Sequence, residues 1–278
     1  FTNNNEYITI YMLYSKLSKN EIIIISELVE KKFKGKLILL EVDKRIFKDA
    51  PIISRFSEEV YYRLLAQDIL PKSIDRVLYL DVDIIINKSL SEFYNQNFEG
   101  NYLVVCEGIG MSKKDLKTYK SLNIPIDRKY FNSGVILYNL KELRSNFDTN
   151  IFFKYIKEKK DVLTMPDQDV LNAIFYDNVK YDDYRIYNYG IIHVKTNEDK
   201  EFLRKKTAII HYIGEEKPWN YNYTLYADDL FWKYAKNTMY SNRYRGYIIK
   251  NRLFRLCSSI IRFFSKPLIK VAKKFKKI

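Results

Sequence analysis

The chain is short of sulfur and imidazole: of 278 residues only two are cysteines and two are histidines. Cys106 and Cys257 lie far apart, with neither metal-site nor redox spacing, which points to a reducing compartment. No apolar run approaches the roughly 18 residues of a membrane span. No signal peptide is recognisable, and no repeat or low-complexity linker interrupts the chain before about residue 240. Acidic residues are absent from the end of the chain. From Arg243 onward there are 12 Lys and Arg and no Asp or Glu, so the first 242 residues hold only +2 of the formal +14. The body is therefore nearly neutral, and the charge that suggests a nucleic-acid binder belongs to a tail. What is present is apolar, with 47% hydrophobic and 16% aromatic residues. This is the composition of a folded chain with a sizeable core.

Strand-like and helix-like segments alternate, which predicts an α/β fold. "EYITIYML" reads as a strand, and "SKNEIIIISELVEKKF" as a helix opened by a capping box from Ser18 to Glu21. Gly35 ends that helix before the strand "KLILLEV". "SEEVYYRLLAQDIL" reads as a helix running into Pro71. Further strands are expected at "RVLYLDVDIII", "YLVVC", "YFNSGVILYNL" and "TAIIHYIG", with a helix at "DQDVLNAIF". The pattern favours one α/β domain over residues 1–242 and an appended tail, 243–278.

The strand "RVLYLDVDIIINKSL" carries Asp81 and Asp83 at the end of its apolar run, where open α/β sheets bind ligands. On a strand, residues two apart share a face, and two like charges there call for a cation. One reading is a pair of solvated carboxylates at a strand end. The other is a divalent ion held by hard oxygen ligands, with phosphate oxygens completing the shell. Downstream, "IIHYIGEEKPWN" offers His211 as a third ligand or as a satisfied strand-end histidine. Gly214 permits close backbone approach, and Lys217 can supply a point charge to a phosphate. A mixed carboxylate and imidazole shell suits Mn²⁺ better than Ca²⁺.

Taken in order, "RVLYLDVDIIINKSL", "YFNSGVILYNL", "PDQDVLNAIF" and "HYIGEEKPWN" resemble the motifs of the family 8 glycosyltransferases, in particular the bacterial lipooligosaccharide galactosyltransferases, over about residues 7 to 220. The resemblance implies a glycosyltransferase A-type fold, a Rossmann-like mixed sheet flanked by helices. It also implies a Mn²⁺ cofactor, with Mg²⁺ as the alternative, a UDP-hexose donor and retention of anomeric configuration. It makes Asp81, Asp83 and His211 the metal ligands, Asp81 also approaching the ribose. Gly214 and Lys217 would contact the diphosphate, and Arg63 would reach the donor from its helix. Asn132, beside Gly134, together with Asp167 and Gln168, would line the transferred hexose, with Gln168 and Asp167 as the catalytic pair. Without the resemblance, "PDQD" reads as a helix N-cap after Pro166, with Asp favoured by the helix dipole, and Arg63 as an exposed helix arginine.

The implied chemistry is coherent. The UDP leaving group gains negative charge as the glycosidic bond breaks, and a metal with Lys217 stabilises it. The Gln168 amide oxygen is a candidate to face the oxocarbenium-like sugar. Because Gln is a poor nucleophile, front-side attack is favoured over double displacement. Glu107 and its neighbours depart from the galactosyltransferase pattern, so UDP-glucose stands beside UDP-galactose as donor. The implied acceptor is a lipooligosaccharide, capsular or other lipid-linked glycan. In the family a strand and helix precede the counterpart of "EYITIYML" and help cup the uracil, which "FTNNNE" cannot supply. The expectation is an N-terminally truncated domain of weak activity.

The tail "NRLFRLCSSIIRFFSKPLIKVAKKFKK" spaces Leu253, Phe254, Leu256, Ile260, Ile261, Phe263 and Phe264 among basic residues. A core-packing helix is one reading. The other, an amphipathic helix drawn to an anionic membrane surface, places the protein at the inner face of the cytoplasmic membrane. No nucleic-acid recognition fold accompanies the charge. A rival enzyme reading takes "LYLDVDII" as the nucleophile strand of a haloacid-dehalogenase-like phosphatase, and a non-enzyme reading is a membrane-binding relative impaired in catalysis.

Overall fold

The structure, a computed structural model, describes residues 7–52, 57–108, 116–220, 223–236 and 238, together with Gly246, Ile249, Leu253 and Leu256. In chain order the elements are β1 (Thr9–Tyr14), α1 (Lys19–Ser26), β2 (Lys36–Glu41), α2 (Ala66–Ile69), β3 (Arg76–Leu80), β4 (Ile84–Ile86), α3 (Ser91–Asn95) and β5 (Leu103–Glu107). They continue with α4 (Leu116–Ser121), β6 (Phe131–Asn139), α5 (Leu140–Asn146), α6 (Asn150–Lys159), α7 (Pro166–Phe175), β7 (Val179–Asp182) and α8 (Tyr184–Tyr187). β8 (Tyr189–Gly190), α9 (Asn197–Lys205), β9 (Ile209–His211) and α10 (Asp228–Ala235) complete the list. The chain divides into two compact units, Phe1–His211 and Tyr212–Ile278.

The first unit is a mixed α/β fold. Its central sheet has the order β3-β6-β5-β7, while β1-β2 and β4-β9-β8 form two smaller sheets. β6 runs antiparallel to both β3 and β5, whereas β5 and β7 are parallel. Strands buried on both faces read as continuous apolar runs, and β5 does so from Leu103 to Cys106 and β6 from Val135 to Tyr138. Leu103, Val105, Ile136 and Tyr138 enter a core with Tyr61, Leu65, Leu171 and Phe175. Val104, Cys106, Val135 and Leu137 enter the opposite core with Phe93 and Ile209. The period of two thus splits each strand between two cores. Cys106 is a free, buried thiol.

The predicted capping box is present, with Ser18 and Glu21 satisfying each other's backbone N–H groups. Two sequence expectations change. Glu58–Leu65 winds as a 3₁₀ helix before the short α2. Tyr61 through Gln67 are all buried, whereas Glu59 near its start is exposed. Asp81 and Asp83 also do not share the face of one strand. β3 ends at Leu80 and pairs with β6, β4 begins at Ile84 and pairs with β9, and the two carboxylates sit in the turn between sheets. Val82 at the tip of that turn is 98% exposed.

In the second unit Gly214 has φ of 102°, a left-handed conformation that favours glycine. Tyr212 is fully buried and donates its hydroxyl to Ala227 O at 2.7 Å. The basic helix expected over 243–278 lies outside the described residues except at Gly246, Ile249, Leu253 and Leu256. These four are helical and exposed.

Candidate active site

The site of the first unit is built where the ladder between β5 and β6 breaks. Leu103 to Val105 pair in register with Tyr138 to Ile136, but Cys106 and Glu107 pair with Asn132 and Phe131. The residues skipped, Ser133 to Val135, form an irregularity of the kind that re-aims side chains beside active sites. Gly134 O accepts from Asp81 N at 2.8 Å, which seats the turn after β3 against this irregularity. A Cβ on Gly134 would stand 2.2 Å from His211 Cε1 and 2.7 Å from Asp81 Oδ2. Glycine is the residue that lets strand, imidazole and carboxylate meet.

Asp81, Asp83 and His211 present ligand atoms within 4.8 Å of one another. His211 Nε2 is 3.1 Å from Asp83 Oδ1 and 3.7 Å from Asp81 Oδ2. His211 closes β9 and pairs with Ile84, so the strand after the turn delivers the imidazole back to it. Two carboxylates and one imidazole fit a divalent transition ion, with further positions left for other ligands.

Arg63 ties this cluster to its neighbour. Its Nη2 donates to Asp81 Oδ1 at 2.9 Å, its Nη1 to Ser133 O at 2.6 Å, and its Nε lies 3.1 Å from Asp167 Oδ2. Tyr79 also donates to Asp81 Oδ1, at 2.8 Å, and its ring lies under the Arg63 guanidinium. One oxygen of Asp81 is thereby held, leaving Oδ2 on the His211 side. Arg63 is 6% exposed, so it is a buried clamp between Asp81 and Asp167, not the exposed helix arginine of the plain reading. Burial alone would depress its pKa, but Asp167 and Asp81 hold it above the ordinary arginine value. Burial pushes the Asp167 carboxyl up, and Arg63 and the Ser133 hydroxyl, 2.7 Å from Oδ2, draw it back.

Pro166 is the first residue of α7 and Met165 its N-cap. Asp167 is therefore a first-turn residue, not the N-cap read from "PDQD". Asn132 Nδ2 and Ser133 N both donate to Gln168 Oε1 at 3.0 Å. The backbone donor fixes that atom as oxygen, so the carbonyl faces β6, and it is not the open acceptor expected beside the sugar. Burial raises the Asp169 pKa; Tyr130 OH at 2.5 Å and the N–H groups of Thr164 and Met165 counter it.

Asp81, Asp83, His211, Arg63, Asn132, Asp167 and Gln168 thus form one connected cluster. Gly214 and Lys217 belong to the second unit, where Lys217 Nζ donates to Tyr212 O at 2.7 Å. Several contributors escaped the motif reading. Tyr79, near the end of β3, reaches Asp81 two residues on, and Asn172 follows Gln168 by one helical turn and donates to its backbone carbonyl at 2.8 Å. Those periodicities were legible signals. Asn188 had none, because only the pairing of β8 with β9 brings it to His211.

The sequence model of glycosyl transferase family 8 matches residues 1–223. General stress protein A of Bacillus subtilis is 28% identical over 221 residues, covering 76% of this chain and 76% of the relative. A lipopolysaccharide 1,2-glucosyltransferase of Escherichia coli is 30% identical over 229 residues, covering 78% of this chain and 66% of that protein. Among solved structures, the galactosyltransferase LgtC in complex with donor and acceptor sugar analogs superposes with a TM-score of 0.74 at 23% identity, over 84% of this chain and 87% of that one. The shared architecture is the glycosyltransferase A-type fold, and the family match sets aside the phosphatase reading of "LYLDVDII". With its carboxylate–imidazole cluster set on that fold, the chain belongs to glycosyltransferase family 8.

Proposed function

We propose that the protein is a metal-dependent retaining hexosyltransferase that moves galactose or glucose from a UDP-sugar to a surface-glycan acceptor. The observation that carries this reading is the convergence of Asp81, Asp83 and His211 within 4.8 Å in a family 8 chain. These three side chains would hold Mn²⁺, or Mg²⁺ in its place. When bound, the ion supplies Lewis-acid stabilisation to the charge that builds on the leaving diphosphate. By the family resemblance, Lys217 and the backbone at Gly214 would contact a diphosphate.

The buried carboxylates favour a single front-side displacement. Asp167 is 4% exposed and Asp169 1% exposed. Each is engaged by hydrogen-bond donors, Asp167 by Arg63 and Ser133, Asp169 by Tyr130 and two backbone N–H groups. Attack by either on the anomeric carbon would take from the buried Arg63 one of its two carboxylate partners, or from Tyr130 the carboxylate that accepts its hydroxyl. In the front-side step the bond from C1 to the phosphate oxygen breaks as the bond from C1 to the acceptor oxygen forms on the same face. The acceptor proton passes to the departing phosphate oxygen. Gln168, with its carbonyl turned to β6, serves this step by donating from its amide nitrogen to a hexose hydroxyl, beside Asn132. Asp167 acts by fixing Arg63, which in turn fixes Asp81.

The tail is read as a peripheral anchor. Ile249, Leu253 and Leu256, spaced by four and three residues, are helical and exposed, as an interfacial helix requires. Among the described residues no helix is long and apolar enough to cross a membrane. An anchor at the inner face of the cytoplasmic membrane would suit a lipid-linked acceptor.

The test is UDP release by the purified chain from UDP-galactose and UDP-glucose, with Mn²⁺ and with chelator. Manganese-dependent release that disappears in Asp83→Asn is expected. No manganese-dependent UDP binding by calorimetry would overturn the reading.

A further inference from the structure

Asn188 stands between the imidazole of His211 and the amide of Asn132. It is 4% exposed, and its Oδ1 lies 2.8 Å from His211 Nδ1 and its Nδ2 2.9 Å from Asn132 Oδ1. Its backbone is held on both sides. The N–H returns to Tyr184 O at 3.0 Å, and the next residues, Tyr189 and Gly190, pair with Ile210 and His211. The register of β8 on β9 therefore places Asn188 beside the imidazole.

Which atom of each amide faces which partner follows from two main-chain donors. Ser133 N–H points at Gln168 Oε1 and Gly134 N–H points at Asn132 Oδ1, each at 3.0 Å. A backbone N–H needs an acceptor, so both of those atoms are oxygens. The Asn132 nitrogen then donates to Gln168 Oε1. The atom of Asn188 that meets Asn132 Oδ1 must be its NH₂ group, and the one that meets His211 must be its carbonyl. A carbonyl can only accept, so His211 Nδ1 carries the proton. In the neutral ring Nε2 then presents a lone pair toward Asp83 Oδ1 and Asp81 Oδ2, an arrangement that calls for a cation among the three.

We propose that Asn188 is a positioning residue that holds His211 in the Nδ1–H tautomer and, through Asn132, joins the metal-ligating nitrogen to Gln168. This rests on the metal-dependent reading of the site. It adds that metal uptake and donor-sugar engagement are read by one hydrogen-bonded chain, anchored on the main chain of β6. Partners of this kind fix ring orientation and raise ligand basicity, and losing one weakens metal binding about 10- to 100-fold.

Two substitutions separate the two links. Asn188→Ala removes both. Asn188→Asp keeps an acceptor for His211 Nδ1–H but sets a carboxylate oxygen against Asn132 Oδ1, so only the link to Gln168 is broken. Because the chain has only two histidines, a ¹⁵N-histidine spectrum of the metal-free protein, recorded at a pH high enough that neither ring is seen to be doubly protonated, reads His211 directly with His193 as its control. Wild type is expected to show a protonated Nδ1 and a bare Nε2 at His211, and Asn188→Ala a mixture of tautomers. In calorimetry with Mn²⁺ alone, Asn188→Ala should bind about 10- to 100-fold more weakly. Asn188→Asp should hold Mn²⁺ as the native chain does while its kcat for donor turnover falls about tenfold or more.

An Nε2–H wild-type tautomer, or an Asn188→Ala chain unchanged in both spectrum and Mn²⁺ affinity, would overturn the assignment. Native turnover in Asn188→Asp would overturn the link to Gln168. Failure of the wild type to take up Mn²⁺ would instead sink the metal-dependent reading, leaving the tautomer to be decided by the metal-free spectrum.

Discussion

At the scale of single residues the site is held by what cannot move. His211 is fixed on Asn188 and Asp81 on Arg63 and Tyr79. A methyl group on residue 134, 2.2 Å from His211 Cε1 and 2.7 Å from Asp81 Oδ2, would find neither neighbour able to withdraw. Gly134→Ala is expected to cost about 1–3 kcal/mol of stability through overpacking. Misplacing two of the proposed metal ligands at once should lower manganese-dependent turnover by about 100-fold. Urea denaturation and UDP-release assays on the variant check both, and near-native turnover would show that the strand can back away. The clustering of Asp81, Asp83 and His211 was legible in the sequence, because an unusual pair of carboxylates in an apolar run and a scarce histidine stand out locally. The side chains that orient them were less so. Ser133 and Asn188 act through contacts 34 and 23 residues away in sequence, and no local pattern records such a meeting.

At the scale of elements, period and punctuation did most of the predicting. The capping box at Ser18, the strand at "KLILLEV" and the helix behind Pro166 appear where the pattern put them. Periodicity could not show that "LYLDVDIII" is two strands of two sheets, since both halves are equally apolar and hydrogen-bonding partners alone distinguish them. That break turns Asp81 and Asp83 from a strand face into a turn closed by β9. The short 3₁₀ turn Ile191–His193 after β8 makes a separate prediction. Burial, and secondarily Lys195, lowers the His193 pKa below its ordinary value of 6.5. In the window between that folded value and 6.5 the unfolded chain binds more protons than the folded one, so stability rises with pH. The contribution is complete above 6.5 and is lost as the pH falls through the window. The melting temperature of wild type minus that of His193→Gln should fall as the pH goes from 8 to 5, and a constant difference across that range would remove His193 as the cause.

At the scale of the whole molecule the chain carries its charge apart from its chemistry. The first 242 residues hold +2 of the +14, and the remaining 36 hold 12 basic residues and no acidic ones. A tail of that kind is attracted to anionic lipid with about 1 kcal/mol per basic residue close to the surface. Burial of side chains such as Ile249, Leu253 and Leu256, all more than half exposed, adds an apolar component that salt does not screen. The two components separate by ionic strength, because the Debye length falls from about 10 Å at 0.1 M to about 3 Å at 1 M. Sedimentation with vesicles of anionic phospholipid at low salt should carry down the full chain and leave behind a chain ended at Asn242. Raising the salt to 1 M should release most but not all of the full chain, the remainder reporting the apolar face. Vesicles of neutral phosphatidylcholine should retain only that salt-resistant fraction at either ionic strength. Equal sedimentation of the shortened and full chains would move the membrane contact to the body and leave the basic tail to another partner.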